Sequence, residues 1–74
     1  MELTGKQRGT GALVKADIQA DQVVFRGAVK AKVPFSQLSA EARGTLLTIL
    51  YKEHVFDFAA GSKAQGFAAK IVKG

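Results

Sequence analysis

Apolar and polar residues alternate through one short stretch of this chain after another, and only beyond Gly61 does the apolar period lengthen to that of a helix. A period of two sends successive side chains to opposite faces of a strand, whereas apolar positions at i, i+3, i+4 and i+7 make one stripe of a helix. In residues 12–19, Ala12, Val14, Ala16 and Ile18 share one parity. Lys15, Asp17 and Gln19 share the other with Leu13, the one residue out of pattern. Ala20-Asp21 supplies a turn into residues 22–26, where Val23, Val24 and Phe25 are strong strand formers. After Gly27, Val29, Ala31, Val33 and Phe35 face one way and Lys30, Lys32 and Pro34 the other. The two strands around Gly27 predict a hairpin. Pro34, which cannot donate a ladder hydrogen bond, puts its strand at a sheet edge or at its own end.

Residues 36–43 are ambiguous, since Leu38, Ala40 and Ala42 alternate as in a strand while the segment around Glu41 also suits a helical turn; a short strand or extended loop is the reading adopted. Residues 45–51 are apolar on both parities, which predicts a central strand covered on both faces. Lys52-Glu53 then makes a tight turn, and residues 54–59 alternate with Phe56 and Phe58 opposite Asp57. Ser62 is suited to cap a helix over residues 62–73, whose stripe is Ala64, Phe67, Ala68, Ile71 and Val72. Gly66 within it implies a close approach of helix to sheet. Residues 1–10, with Gly5 and Gly9 around Lys6 and Arg8, read as a mobile lead-in or a bent edge strand.

Strands followed by one helix predict an α+β fold: an antiparallel meander of six to seven short strands capped by the C-terminal helix. With 74 residues and no cysteine, residues 1–74 hold one domain and one core, built by packing alone. No apolar run approaches the ~20 residues that cross a bilayer. The polar first residues lack the ~7–15-residue apolar stretch of a signal peptide, so the expected location is the cytoplasm.

Catalytic patterns are weak. Gly5, Gly9 and Gly11 beside Lys6 and Arg8 suggest a phosphate cradle, but such loops follow a strand and open a helix, whereas this segment precedes a strand. His54 and Asp57 fall on opposite faces of one strand, too poor a ligand set for a metal. Ser36, Ser39 and Ser62 have no identifiable base, and the acids are scattered singly. The chain is expected not to be an enzyme and to hold no metal or cofactor. The basic residues say more. Eleven Lys and Arg against six Asp and Glu leave a net charge of +5, a bias toward anionic partners. Arg26, Lys30 and Lys32 fall on the polar face of the hairpin, where the simpler reading is a solvated surface that also discourages edge pairing. Lys6 and Arg8 add a basic N-terminal segment.

The motifs V-V-F-R-G at residues 23–27, V-P-F at residues 33–35, Gly44 before an apolar strand, and the final G-x-x-A-x-x-F-A-x-K-I at residues 61–71 together resemble small bacterial domains of pleckstrin-homology-like type. The resemblance implies a strongly bent antiparallel half-barrel closed by the helix, with Phe67 where tryptophan is expected in such modules. Larger members carry a basic phosphoinositide pocket in their early loops. No such pocket maps onto this sequence, so lipid binding is not carried over.

The leading expectation is a non-enzymatic interaction or scaffold module that binds a protein or peptide, or assembles with itself. The alternative is a weak nucleic-acid binder using Lys6, Arg8, Arg26, Lys30 and Lys32. Attachment to an anionic membrane through Lys63, Lys70 and Lys73 is a third reading.

Overall fold

A computed structural model describes residues 2–73. Its strands are β1 (Glu2–Gln7), β2 (Leu13–Ile18), β3 (Gln22–Gly27), β4 (Ala31–Pro34), β5 (Leu38–Arg43), β6 (Leu46–Tyr51) and β7 (His54–Ala59), followed by helix α1 (Ala64–Lys73). Every pairing is antiparallel, and the order across the sheet is β4-β3-β2-β1-β7-β6-β5. Two meanders of sequence neighbours, β1 to β4 and β5 to β7, are therefore joined edge to edge by β1 and β7. Curling of this sheet gives a half-barrel with one C-terminal helix, the α+β architecture expected.

The alternation does what the sequence requires of it. Val14, Val23, Phe25, Val33, Leu47, Ile49, Phe56 and Phe58 turn inward and are almost wholly buried. Phe25 and Phe56 meet at 5.0 Å between ring centroids, and Phe58 follows Phe56 at 6.3 Å, within the favoured range for aromatic pairs. Helix α1 lays Ala64, Ala68 and Ile71 chiefly on β5, whose inward residues Ala40 and Ala42 are small enough to admit it.

Residues 36–43 resolve into a 3₁₀ turn, Phe35–Gln37, and then the edge strand β5. Pro34 ends β4, the opposite edge, where its missing donor costs no ladder bond.

Several expectations are corrected. Within residues 1–10, expected as a mobile lead-in or a bent edge strand, Glu2–Gln7 is instead an interior strand, because β7 returns to pair with it through Gly5↔Phe58 and Gln7↔Phe56; residue 1 lies outside the described residues. The close backbone approach belongs to Gly5, not Gly66. A Cβ on Gly5 would overlap the Asp57 carbonyl oxygen and lie 2.6 Å from Phe58 Cδ1, whereas one on Gly66 would meet nothing within 4 Å. β6 is interior but covered on one face only, leaving Leu46 and Leu50 37% and 39% exposed outside. Val72 is 67% exposed, since the buried stripe of the helix is too narrow to include it. Ser62 lies inside a 3₁₀ turn, Gly61–Lys63, rather than at the helix cap; Ala60 precedes that turn and makes no side-chain cap bond. The entry is anchored instead by the Ala60 and Gly61 amides, which both donate to the Thr45 carbonyl at 3.0 and 3.1 Å.

Candidate anion-binding surface

Each strand of β1 to β4 turns one parity inward, and the other parity forms a continuous outer face, on which Val24 is buried among its neighbours. Register decides which residues meet there. Thr4 lies opposite Lys15, and Lys15 lies directly opposite Arg26. One step beyond the Phe25↔Ala31 pair, the register brings Lys30, just ahead of β4, beside Arg26. Thr4, Lys15, Arg26 and Lys30 thus form a row across four neighbouring strands, spanning about 14 Å at ~4.8 Å per strand. Lys6 flanks it on one side, paired with Leu13. Lys32 flanks it on the other, opposite Val24. Asp17, the partner of Val24 on β2, and Glu2, the partner of Asp17, close that side with negative charge.

Of the residues singled out from the sequence, Lys6, Arg26, Lys30 and Lys32 come together on this face and Arg8 does not. Arg8 sits past the end of β1 and forks onto Asp57 of β7, with Nε 3.1 Å from Oδ2 and Nη2 2.8 Å from Oδ1. Thr48 Oγ1 donates to the same carboxylate at 2.8 Å. Arg8 foremost, and Thr48 after it, hold the Asp57 carboxyl below its ordinary range against the opposing effect of burial. Arg8 is thereby a strut between strands. Arg26 Nη1 lies 3.9 Å from Glu2 Oε2, and its charge also acts on the Asp17 carboxylate; both side chains of the Glu2 pair are exposed, so that pair compensates it weakly.

Lys15 is the member that sequence reasoning missed. It lies on the polar parity of β2, and only its register partner gives it significance.

His54 stands at the inner rim of the half-barrel, its ring 6.2 Å from Tyr51 and 5.9 Å from Phe56 between centroids, with the Gln7 side-chain amide 3.0 Å from Nδ1. Among the described residues no group of three His, Cys, Asp or Glu is placed to hold a metal ion, and no pocket opens. No described helix is long and apolar enough to cross a membrane. Comparison of the chain with protein-family models, with curated proteins and with solved structures finds no match in any of the three.

Proposed function

We propose that this domain is a non-enzymatic interaction module of pleckstrin-homology-like architecture that docks an anionic partner on the outer face of β1 to β4. The observation that carries the reading is the placement of Lys15 directly opposite Arg26, with Lys6, Lys30 and Lys32 around them. Like charges directly opposite on adjacent strands destabilise a sheet. An anion seated between them removes the repulsion. A binding surface explains what a solvated face does not require. The architectural part rests on the two meanders, four strands and then three, with the terminal helix laid over β5. The non-enzymatic part is favoured by the engagement of the groups that would do chemistry: Asp57 is tied to Arg8 and Thr48, and His54 is packed between rings with Gln7 at its Nδ1.

The test is an amide-resolved NMR titration with poly-L-glutamate, a polyanion that carries no phosphate, at low salt. Shifts confined to Lys6, Lys15, Arg26, Lys32 and their neighbours are expected, and the double variant K15E/R26E should abolish them. Shifts spread over α1 and β5 to β7, or shifts that survive the double variant, contradict the assignment of the face.

A further inference from the structure

Resting on that reading, we infer that the anionic partner is the phosphate backbone of a nucleic acid, bound without readout of base sequence. Three features of the face point this way. The first is what it lacks. Phe25, Phe35, Phe56 and Phe58 are buried inside the half-barrel, while Tyr51 and Phe67 are half-buried on the core side. The outer face of β1 to β4 therefore offers no aromatic platform for stacking unpaired bases. Being a sheet face rather than a projecting helix or ribbon, it offers no element to enter a major groove either.

The second feature is the chemistry of the row. Lys15, Arg26 and Lys30 supply only donors, and Thr4 adds a hydroxyl; such groups make the contacts to phosphate oxygens that fix a protein on a backbone while carrying no sequence information. One strand of a duplex presents a phosphate per ~3.4 Å of axis, so a row of about 14 Å faces roughly four nucleotides. The acidic pair Glu2 and Asp17 lies alongside the row and confines a polyanion to the direction across the strands.

The third separates a nucleic acid from an acidic protein segment. A protein partner gains its affinity from buried apolar anchors, and exposed charge pairs add little. On this face the one large exposed hydrophobic among the described residues is Leu13, at 64%. A polyelectrolyte needs no anchor, because neutralising its phosphates releases condensed counterions. A face with five cations, two carboxylates along one side and a single exposed leucine suits the second kind of partner.

Fluorescence anisotropy with a mixed-sequence 20-base-pair duplex, titrated between 50 and 200 mM salt, tests this directly. If about four of the five cations engage, affinity falls about 150-fold over that interval, a slope of roughly −3.6 on logarithmic axes. K15Q should reduce the slope by about one, to a loss of about 40-fold. K70Q, on the helix, should leave the slope unchanged. Duplexes of different sequence should bind alike. A slope near zero, or one that K15Q and R26Q do not change, overturns the inference. So does poly-L-glutamate or a phosphatidylserine vesicle that binds the face as tightly as the duplex, although the docking face itself then stands. If neither duplex nor poly-L-glutamate binds, both readings fall.

Discussion

Arg8 and Asp57, 49 residues apart in the chain, close a two-pronged ion pair over the joint between β1 and β7. Thr48 extends it to β6, so one carboxylate is held from both sides of β7. Among the described residues this joint is where the two meanders meet in the sheet order, and the cluster reinforces it.

Replacing Asp57 with Asn should remove the fork and cost about 1 kcal/mol, or roughly 4–8 °C in Tm for a domain of this size. The cost should depend on pH in a defined direction. The folded state lowers the Asp57 pKa, so the carboxylate's contribution is complete above the unfolded value of about 4 and disappears as pH falls through the lower folded value. Urea unfolding of wild type and D57N at pH 7 and at pH 2.5 should show a gap that narrows in acid. An equal gap at both pH values would mean that the charge contributes nothing.

Gly5→Ala should be among the most disruptive of small substitutions. The added methyl meets the Asp57 backbone and the Phe58 ring, neither of which can swing away as a flexible side chain does. A loss of about 3 kcal/mol, the upper end for overpacking, is expected. Gly66→Ala supplies the contrast: it meets nothing and should gain up to ~1 kcal/mol in helix propensity. Thermal melts of the two variants moving in opposite directions would bear this out, and a neutral G5A would refute it.

Ile71 and Val72 are neighbours on α1 with opposite environments. Ile71→Ala empties a buried site and should cost about 2–4 kcal/mol, enough to unfold much of a small domain. Val72→Ala should change stability by no more than about 0.5 kcal/mol. Comparable losses from both would show that the helix sits rotated from the orientation described.

Lys52 takes φ +55°, the one non-glycine with positive φ among the described residues, at the first position of the β6–β7 turn. Its ammonium lies 5.3 Å from the Tyr51 ring centroid, a contact of modest value at the surface. Relief of the left-handed strain, about 1 kcal/mol, should outweigh that contact, so Lys52→Gly should raise Tm by a few degrees. A lower Tm would assign the larger weight to the ring contact.

The like-charged pair on the basic face carries a stability signature of its own. Lys15→Gln should stabilise the free domain by about 0.2–1 kcal/mol at low ionic strength. The gain should vanish in 1 M salt, where charges are screened within about 3 Å. A gain that persists in high salt would point to a cause other than repulsion from Arg26.

Most of the strands were legible because each half-buried segment has to alternate; the turn at Ala20-Asp21 was legible too, and Lys52-Glu53 gave a weaker signal because it has neither glycine nor asparagine. What failed has a common physical origin. The interior place of β1 depends on a partner more than forty residues away, and neither its own composition nor its periodicity encodes β7. Leu46 and Leu50 looked buried because their strand is apolar on both parities, yet no layer of the fold covers the outside of β6. Ser62 has the chemistry of a cap, but it lies inside the 3₁₀ turn Gly61–Lys63 that leads into α1, one residue past where the helical run begins. For the candidate face, the cations of the hairpin were visible as a parity. Lys15 was within reach too: a two-residue turn at Ala20-Asp21 pairs residue 19 with 22, and hence 15 with 26, a count that needs no structure.

Every strand pairing but one links neighbours in sequence; the exception is β1 with β7. Until that contact closes, β1 and β7 are both open edges, and β7 presents His54–Ala59, whose aromatic alternation makes a ready template for pairing between molecules. Bringing Gly5 to Phe58 also requires closing a long loop, which is slower than forming any hairpin in the chain. Weakening the joint therefore exposes the chain twice over, by prolonging the interval with open edges and by repopulating it once folded. Substitutions at Gly5, Arg8 or Asp57 will show themselves as insoluble protein at least as readily as a lowered melting point.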